Sequence, residues 1–468
     1  MGSLGDTPVE VPTKQAPTTL NGIAAEITRL SAELTKFLED NKLDVPTFEA
    51  DSPTRYDGLT AESFMTRQHL IDRINDMWLL AQGPSESIFK YVHNAMPDAA
   101  CLNVLNYFNF WAAVPLDGSA SYQEIAQRVR LPLDVTRRVV QHGLTIRLFA
   151  SDASTGPGRV RHTARSAALA RAPGLRALVS TVLDEAGAPM MVMHESLDRH
   201  SRGSETLSPE MEHTAFAHLH AGKGGDGQGR RYVNSWDMLE NDGEGEDKGW
   251  RQKNFVEFMR YLKEIFRFDD VLSHAYDWEK LGDATVVDVG GSAGHDAVVL
   301  ARKFPSLRIH VQDLPKVAPV FASSVPADLS SRVTFTPHDF FNPQPVAGAD
   351  VYILKMILHD WPDHECARIL RALIPALKPG AKVILVEYVG GANEDEAAAA
   401  LPDPAVPRSL TQMGTATDLR LMALFNAKER PLGAWRGVFA AADQRFKVKD
   451  CEPKPGEFFA VIEAEWTG

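Results

Sequence analysis

Between residues 285 and 387, short apolar runs alternate with helical segments, and this alternation constrains the fold more than any other feature of the sequence. Strands that alternate with helices pair in parallel, and the helices cover both faces of the resulting sheet. The sequence therefore predicts a doubly wound α/β domain. The predicted strands are Thr285–Val289, Leu307–Val311, Val333–Phe335, Asp350–Leu354 and Lys382–Glu387, and the predicted helices are Gly294–Phe304 and Asp363–Leu377.

Two more strands are predicted after this series, over Arg445–Lys449 and Phe458–Trp466. A parallel pair needs a crossover connection of about a dozen residues or more. The intervening PKPGE is short, so we expect these two strands to pair as an antiparallel hairpin.

The first 98 residues are predicted to form a flexible tail, residues 1–17, and a helical arm, residues 18–98. Apolar residues recur at spacings of three and four from Thr18 to Asp44, which predicts an amphipathic helix. Its apolar stripe must be covered either by the rest of the chain or by a second subunit. The stripe consists of Ile23, Ile27, Leu30, Leu34 and Leu38, and a further helix is predicted over residues 62–81.

Residues 99–170 show the order of a winged helix: helix, turn, helix and two short strands. The first helix, Ser121–Val129, has Ser121 as its predicted N-cap and Glu124 as the residue that closes a capping box. Asp134 is predicted to cap the second helix, which ends near His142. The predicted wing strands are Arg147–Phe149 and Arg159–His162, and residues 171–275 are predicted to be a mostly helical connector.

A winged helix suggests DNA binding, and the second helix carries Arg137 and Arg138. The whole chain argues against this function, because 49 Lys and Arg residues face 62 Asp and Glu residues, a net charge of −13. Phosphate backbones are bound by clustered cations. We therefore expect a structural or dimerisation module and no nucleic-acid partner, and a DNA-binding regulator is the weaker alternative.

The remaining composition is that of an intracellular globular protein, 468 residues long and 44% hydrophobic. Cys101, Cys366 and Cys451 are far apart, which excludes a disulfide framework or a Cys-based zinc site and fits a reducing compartment. No signal peptide and no run of 18 apolar residues is found. We expect a cytoplasmic protein with no membrane association.

The segment VVDVGGSAGH combines a strand, a glycine turn and the start of a helix, which is the pattern of a nucleotide-binding turn. Its spacing differs from the dinucleotide pattern G-x-G-x-x-G, because Ser292 and His295 stand where that pattern has glycines. The mismatch disfavours NAD. The turn contains no lysine to hold a phosphate, and Asp288 at the strand end suits the amino group of a cationic ligand.

The ligand that fits is S-adenosylmethionine, which is cationic at sulfur and carries no phosphate. Asp313, 23 residues after Gly290, ends the second strand and is predicted to accept both ribose hydroxyls. Asp339 and Phe340 follow the third strand and are predicted to contact the adenine. Each of these residues also has an ordinary structural explanation, as a tight turn or a helix cap. The predicted turn glycines are Gly290, Gly291 and Gly294.

His359, in the segment LHDWPD, follows the fourth strand at the edge of the sheet where ligands of doubly wound proteins bind. A phenol has a pKa near ~10 and an imidazole near ~6.5, so proton transfer between them is uphill. A carboxylate that stabilises the imidazolium lowers this cost. Glu387 and Glu429 are the predicted carboxylates. Alone, His359 is better explained as a helix-cap or core histidine. Together with Asp360, Trp361 and the two glutamates, it is predicted to be a general base.

From about residue 85 onward, the sequence resembles the plant- and fungal-type small-molecule O-methyltransferases that use S-adenosylmethionine. The matching motifs are VVDVGGSAGH, QDLP, LHDWPD and TDLRLMALFNAKER. The resemblance implies an α/β fold in which a Rossmann-like class I methyltransferase domain, residues 276–468, follows a mainly helical winged-helix dimerisation domain.

The resemblance also implies roles for individual residues. Lys355 would contact the cofactor together with Gly290, Asp313, Asp339 and Phe340. His359 would be the general base, supported by Glu387 and Glu429. The connector would line the acceptor pocket through Phe255 and Met259. Further predicted pocket residues, which are equally explained as core, are Met190, Met193, Met422 and Asn426. The family forms interlocked homodimers, so the stripe of residues 18–44 is a candidate dimer surface.

The main hypothesis is methylation of a phenolic or enolic hydroxyl on an aromatic, polyketide-like secondary metabolite, with no metal. The alternative is a pericyclase-type enzyme that uses the bound cofactor only as a fixed positive charge. Lys355 would then polarise a substrate carbonyl. The segment Gly391–Arg408, rich in Ala and Pro, is predicted to loop out between Glu387 and Glu429.

Overall fold

The computed structural model describes residues 19–154, 156–220, 232–266, 268–388, 406–449 and 459–468. For residues 266 and 268–270 it describes the backbone only. The predicted tail, most of the linker 391–408 and the PKPGE connection lie outside these residues. Internal contacts divide the chain into two units. The N-terminal unit comprises the described residues up to Pro46 together with Arg55–Met96, and the main unit comprises Thr47–Thr54 and the described residues from Pro97 onward.

The N-terminal unit is helical. Ile23, Leu30, Leu34 and Leu38 are buried on one face of its first helix, which packs against the second. The predicted stripe is thus covered within the unit. The helices are α1 (Leu20–Asp40), α2 (Ala61–Gln82) and α3 (Pro84–Tyr107), of which the part up to Met96 belongs to this unit.

Large apolar side chains of the N-terminal unit are exposed on α2 and α3 instead. Trp78 is 63% exposed, Phe89 64% and Val92 70%. Ile74, Leu79, Leu80, Ile88, Tyr91 and Met96 are exposed beside them in the sequence. Exposed large apolar side chains in such number make α2 and α3 a candidate interaction surface.

The segment predicted as a winged helix contains the expected elements and one more strand. The capping box of Ser121 and Glu124 is confirmed, because each side chain accepts a hydrogen bond from the other's backbone N–H. The prediction for Asp134 was wrong: Pro132 precedes the helix, and Asp134 lies in its first turn. The elements are α4 (Phe110–Ala113), β1 (Ser119–Ser121), α5 (Tyr122–Val129), α6 (Leu133–Thr145), β2 (Phe149–Ser151) and β3 (Arg159–His162), with antiparallel sheet order β1-β3-β2.

The connector is mostly helical, as predicted, and includes a π-helix over Ser180–Glu185. Its α-helices are α7 (Ala164–Arg171), α8 (Pro173–Val179), α9 (Gly187–Met191), α10 (Met193–His200), α11 (Ala215–His220), α12 (Ser235–Asn241), α13 (Trp250–Phe266) and α14 (Phe268–His274).

The remaining residues form the predicted α/β sheet, flanked by helices. Its strands are β4 (Thr285–Val289), β5 (Arg308–Asp313), β6 (Val333–Pro337), β7 (Val351–Lys355), β8 (Lys382–Tyr388), β9 (Phe446–Val448) and β10 (Phe459–Trp466), in the order β6-β5-β4-β7-β8-β10-β9. The helices are α15 (His295–Lys303), α16 (Ala318–Ser324), α17 (Asp363–Leu373), α18 (Arg408–Phe425) and α19 (Leu432–Ala442). Short 3₁₀ turns occur at Met211–His213, Gly245–Asp247, Trp278–Leu281, Pro315–Val317, Ala327–Leu329, Leu358–Asp360 and Ile374–Ala376.

Side chains alternate between the two faces of the sheet along each strand, and helices bury both faces. Val287 and Leu385 face α17 and α19 in one core, whereas Val286 and Ile384 face α15 in the other. Strands β4 to β8 are parallel, and β10 is antiparallel to both β8 and β9. The predicted hairpin pairing of the last two strands is confirmed. No helix of the described residues is long and apolar enough to cross a membrane.

Candidate active site

The glycine turn lies at the carboxyl end of β4, between β5 and β7. The N–H groups of Gly290 and Gly291 donate to the carbonyl of Gln312 on β5, at 2.8 and 3.0 Å. Gly290 has a φ of +75°, and a Cβ at this position would lie 2.6 Å from Cδ1 of Ile357. The turn can therefore approach both a ligand and the segment after β7 only because residue 290 is glycine.

Asp288 lies beneath this turn as a buried carboxylate. Its Oδ2 has no hydrogen-bond partner among the described residues. Burial raises the pKa of Asp288 to about 7, and the nearby charge of Asp296 adds to the shift. An unpaired buried carboxylate oxygen is costly unless a cation binds it, so Asp288 fits the amino group of a cationic ligand.

Asp313 ends β5 beside the turn, as expected. Its Oδ2 accepts from the N–H of Ser292 at 2.9 Å and its Oδ1 from the N–H of Leu314 at 2.8 Å. These two bonds fix the carboxylate next to the turn, where the ribose of a nucleoside would lie. Burial raises the pKa of Asp313.

Asp339 and Phe340 follow β6 at the same edge of the sheet. Oδ1 of Asp339 accepts from the N–H of Phe341 at 3.0 Å. The ring of Phe340 contacts Trp361 edge-to-face, with 5.9 Å between ring centroids. Phe340 thereby contacts the segment that carries His359.

Lys355, at the end of β7, is paired with a carboxylate of the chain itself. Its Nζ lies 2.7 Å from Oδ2 of Asp296 in the first turn of α15, and Lys263 approaches the same carboxylate at 3.4 Å. The sequence did not single out Asp296, although its place in the first turn after a glycine-rich loop is a usable signal. This pair fixes Lys355 at the edge of the turn.

His359 lies in a 3₁₀ turn, Leu358–Asp360, directly after β7. Its Nδ1 lies 3.2 Å from Oε1 of Glu429, and its Nε2 lies 3.7 Å from Oδ1 of Asp360. An ionised carboxylate only accepts hydrogen bonds, so Nδ1 carries the proton toward Glu429. The side chains of His359 and Glu429 are both almost fully buried.

Glu387, the second predicted carboxylate, binds the backbone of the same turn rather than the imidazole. Its Oε1 accepts from the N–H of Leu358 at 2.9 Å and from that of Ile357 at 3.3 Å. Its Oε2 is buried without a partner among the described residues. Glu387 therefore acts on His359 through its charge and through the shape of the turn.

The carboxylates change the proton affinity of His359. Burial alone lowers the pKa of the imidazole, but the charges of Asp360, Glu387 and Glu429 outweigh it and raise this pKa to about 10. Burial also raises the pKa of Glu387 to about 7 and that of Asp360 to about 6, although the charge of His359 opposes both shifts. The imidazole of His359 is therefore more basic than an ordinary histidine side chain.

Two residues of α18 belong to this cluster although sequence reasoning missed them. Oδ1 of Asp418 accepts from the N–H of Glu429 at 2.7 Å and fixes that residue's backbone. Arg420 is close enough to interact electrostatically with Asp360 and Glu429, and burial lowers the pKa of its guanidinium. A charged residue on a half-buried helix face is the signal that points to Arg420.

The O-methyltransferase domain model matches residues 242–442 of the chain. The O-methyltransferase lcsG of Purpureocillium lilacinum is 38% identical over 97% of this chain and 95% of its own length. The chain belongs to the O-methyltransferase family. The O-methyltransferase aoiF of Aspergillus oryzae is 32% identical over 90% of the chain and 93% of its own length.

Solved structures share the fold of this O-methyltransferase at lower identity. The crystal structure of OxaC aligns with a TM-score of 0.71 at 19% identity, covering 96% of this chain and 98% of OxaC. A protein described as a pericyclic reaction enzyme aligns with a TM-score of 0.66 at 18% identity, covering 95% and 100%. The chain is an S-adenosylmethionine-dependent enzyme, and the orphaned Oδ2 of Asp288 fits that cofactor.

Two predicted acceptor residues of the O-methyltransferase, Phe255 and Met190, contact one aromatic cluster. Phe255 contacts Trp236 edge-to-face at 6.0 Å, and Trp236 stacks on Phe425 of α18 at 5.1 Å. Met190 packs against the same cluster. This aromatic cluster joins α12, α13 and α18.

Asn426 has a structural function that the sequence interpretation did not foresee. It ends α18 in the left-handed conformation, with a φ of +50°, and its Nδ2 donates to the carbonyl of Glu210 at 2.9 Å. Asparagine is favoured at such a C-cap. Met193, Met259 and Met422 are half-buried, and their contact with an acceptor stays a prediction.

Proposed function

We propose that this O-methyltransferase methylates a phenolic or enolic hydroxyl of an aromatic, polyketide-like secondary metabolite, with His359 as the base. The observation that carries the proposal is the buried contact between His359 and Glu429 beside the glycine turn. Ile357, two residues before His359, touches that turn at Gly290. The proton acceptor is therefore adjacent to the cofactor edge of the sheet.

The carboxylates around His359 address the energetic problem of deprotonating a phenol. An ordinary imidazole is weaker as a base than a phenolate by about 3.5 pKa units, or ~5 kcal/mol. With the pKa of His359 raised to about 10, transfer of the phenolic proton to Nε2 is nearly thermoneutral. The imidazolium that forms is stabilised by Glu429 and Asp360. Turnover then requires a neutral imidazole and rises with pH.

S-adenosylmethionine supplies the methyl group at a positively charged sulfur. Asp288 would hold its amino group, Asp313 its ribose, and Asp339 with Phe340 its adenine. The chain's own contribution is to hold the acceptor oxygen close to the methyl carbon, since proximity provides much of the rate enhancement in such transfers. The aromatic cluster of Phe255, Trp236 and Phe425 supports an aromatic acceptor.

Methyl transfer is tested with S-adenosylmethionine labelled in its methyl group and a panel of phenolic polyketides. We expect labelled product and release of S-adenosylhomocysteine. His359→Ala should retain cofactor affinity and lose about 100-fold or more in turnover. His364→Ala, a half-exposed histidine five residues further on, is the matched control. Unchanged turnover in His359→Ala would remove His359 from the reaction.

The pericyclase alternative gives the opposite isotope result. A substrate that is converted without label transfer and without release of S-adenosylhomocysteine would establish it. In that mechanism Lys355 would polarise a carbonyl, but its ammonium is engaged by Asp296 at 2.7 Å. The pairing favours methyl transfer.

We also propose that the enzyme is a homodimer that buries the exposed apolar side chains of α2 and α3. The support is their size and number: Trp78, Ile88, Phe89 and Val92 are each more than 60% exposed. The first expected dimer surface, the stripe on α1, is covered by α2. A second copy of the same unit offers a matching apolar surface, as isologous dimers do.

A further inference from the structure

Three side chains from three different parts of the chain, those of Glu387, Arg430 and Cys366, hold the backbone turn that carries His359. We propose that Arg430 and Cys366 are positioning residues for the reaction, acting on His359 through the carbonyls of Leu358 and Trp361. The inference rests on the proposed function of His359 as base.

Arg430 is fully buried and donates to both carbonyls. Its Nη1 lies 3.2 Å from the carbonyl oxygen of Leu358, and its Nη2 lies 2.7 Å from that of Trp361. Its Nε donates to Oδ1 of Asp363 at 2.7 Å. The two carbonyls stand one residue before and two residues after His359, so the guanidinium braces the turn from both sides.

Cys366, on the first turns of α17, contacts the same two oxygens. Its Sγ lies 3.0 Å from the carbonyl of Leu358 and 3.2 Å from that of Trp361. Burial raises the pKa of this thiol to about 12, so it keeps the proton that it donates. A thiol has one hydrogen, so it donates either to one carbonyl at a time or to both in a bifurcated hydrogen bond.

These bonds supplement the two backbone hydrogen bonds of the 3₁₀ turn, in which the N–H groups of Asp360 and Trp361 donate to the carbonyls of Ile357 and Leu358. The N–H groups of Ile357 and Leu358 donate to Glu387, while the carbonyls of Leu358 and Trp361 accept from Arg430 and Cys366. A buried carbonyl that loses its donor costs about 1–3 kcal/mol and seeks another partner. Loss of Arg430 leaves the carbonyl of Trp361 with only the thiol of Cys366 as a donor among the described residues and also removes the bond to Asp363, so the turn is free to move.

Movement of the turn has a chemical consequence because Glu429 is the residue before Arg430. The same short segment provides the carboxylate for Nδ1 and the guanidinium for the turn, and so sets the 3.2 Å contact of His359 with Glu429. A lengthened contact weakens the charge interaction and lowers the proton affinity of the imidazole. A misplacement of about 1 Å is enough to cost on the order of 100-fold in rate.

The first test compares Arg430→Gln with Arg371→Gln. Arg371 also donates to two backbone carbonyls, those of Ala441 and Ala442, but in α19, so it is a control for the loss of such bonds. We expect Arg430→Gln to lower kcat about 10- to 100-fold, with the affinity for S-adenosylmethionine unchanged. The apparent pKa of kcat should move toward ~6.5. Arg371→Gln should lower thermal stability only.

The second test uses Cys366, whose variants remain near the wild-type volume and keep the inference testable if Arg430→Gln does not fold. Cys366→Ser retains a donor, whereas Cys366→Ala removes it. We expect kcat and the pH profile of Cys366→Ser to stay close to those of the wild type, and Cys366→Ala to share the downward pKa shift of Arg430→Gln.

Two outcomes would overturn the inference. One is a folded Arg430→Gln with the wild-type kcat and pH profile. The other is a Cys366→Ala and Cys366→Ser pair that differ in stability but not in pH profile. Absence of methyl transfer in the wild type, by contrast, would refute the proposed function itself.

Discussion

His359 lies among three carboxylates and one guanidinium, so its pKa is the result of opposing charges. Substitution of Glu429 by Gln retains an oxygen that accepts from Nδ1 but removes a negative charge. The pKa of His359 should then fall from about 10 toward its ordinary value of ~6.5. The rising limb of the pH profile of kcat/KM should move to lower pH, and the plateau should fall because the imidazolium is less stabilised.

The control for this experiment changes the charge of the same cluster in the opposite direction. Arg420→Leu removes the positive charge that acts on Asp360 and Glu429. The cluster becomes more negative, so the pKa of His359 should rise and the same limb should move to higher pH. Shifts of both variants in the same direction would contradict the electrostatic origin of the raised pKa.

Glu387 makes the stability of the enzyme depend on pH. Its pKa is raised from 4.5 in the unfolded chain to about 7, mainly by burial. A group with a raised pKa contributes stability below its unfolded value, and that contribution is lost as pH rises through the folded value. Glu387→Gln cannot ionise, so its melting temperature should fall less than that of the wild type between pH 4.5 and 7. If the melting temperatures of the wild type and of Glu387→Gln fall by the same amount over this pH range, Glu387 is not the source of the pH dependence.

At the level of elements, the glycine turn after β4 is held by two constraints. Gly290 has a φ of +75° and leaves no room for a Cβ against Ile357, whereas Gly348 has a similar φ of +74° with nothing within 4 Å. Gly348→Ala should cost only the backbone strain, about 1–2 kcal/mol. Gly290→Ala should cost an additional ~1–3 kcal/mol for overpacking.

The readouts for this pair are the free energy of unfolding and the affinity for S-adenosylmethionine. Only Gly290→Ala should lose affinity, because the turn must move away from Ile357. Equal losses of affinity and of unfolding free energy in both variants would contradict this prediction. They would show that residue 290 must be glycine because of its positive φ and not because Ile357 lies so close.

The sequence predicted these elements well where the pattern is local. Strands β4 to β8 are five to seven residues long and each contains Val or Ile, and the capping box of Ser121 is a four-residue signal. Strand β1 was missed because its three residues, Ser119–Ser121, have no recognisable period. Asp134 was misassigned because Pro132 already fixes the start of that helix.

The residue types of the candidate site follow from the sequence, but the contacts among them do not. His359 and Glu429 are 70 residues apart, and their contact could be expected only from the shared edge of the sheet. The hydrogen bonds of Glu387 to the backbone of the His359 turn depend on how β8 and that turn pack, for which no short-range signal exists. Asn426 was predicted only as a pocket residue because the C-cap of α18 is not evident from its spacing.

At the level of the whole molecule, the exposed apolar side chains of α2 and α3 predict self-association. The wild type should sediment as a dimer, and the double substitution Trp78→Asp with Phe89→Asp should give a monomer, because charges are costly in a buried apolar contact. Val233→Asp is the control, since Val233 is 69% exposed in the main unit. A wild-type monomer at working concentrations would exclude the proposed dimer.

Strand β10 lies inside the sheet, paired with β8 on one side and β9 on the other, although it follows all other strands in the sequence. During synthesis on the ribosome, β8 is therefore made long before its neighbour. Its apolar residues Val383, Ile384 and Leu385 remain on an open edge, which is a template for pairing with other chains. Closure of the sheet must wait until residues 459–466 have emerged, and we expect aggregation to compete with folding until then.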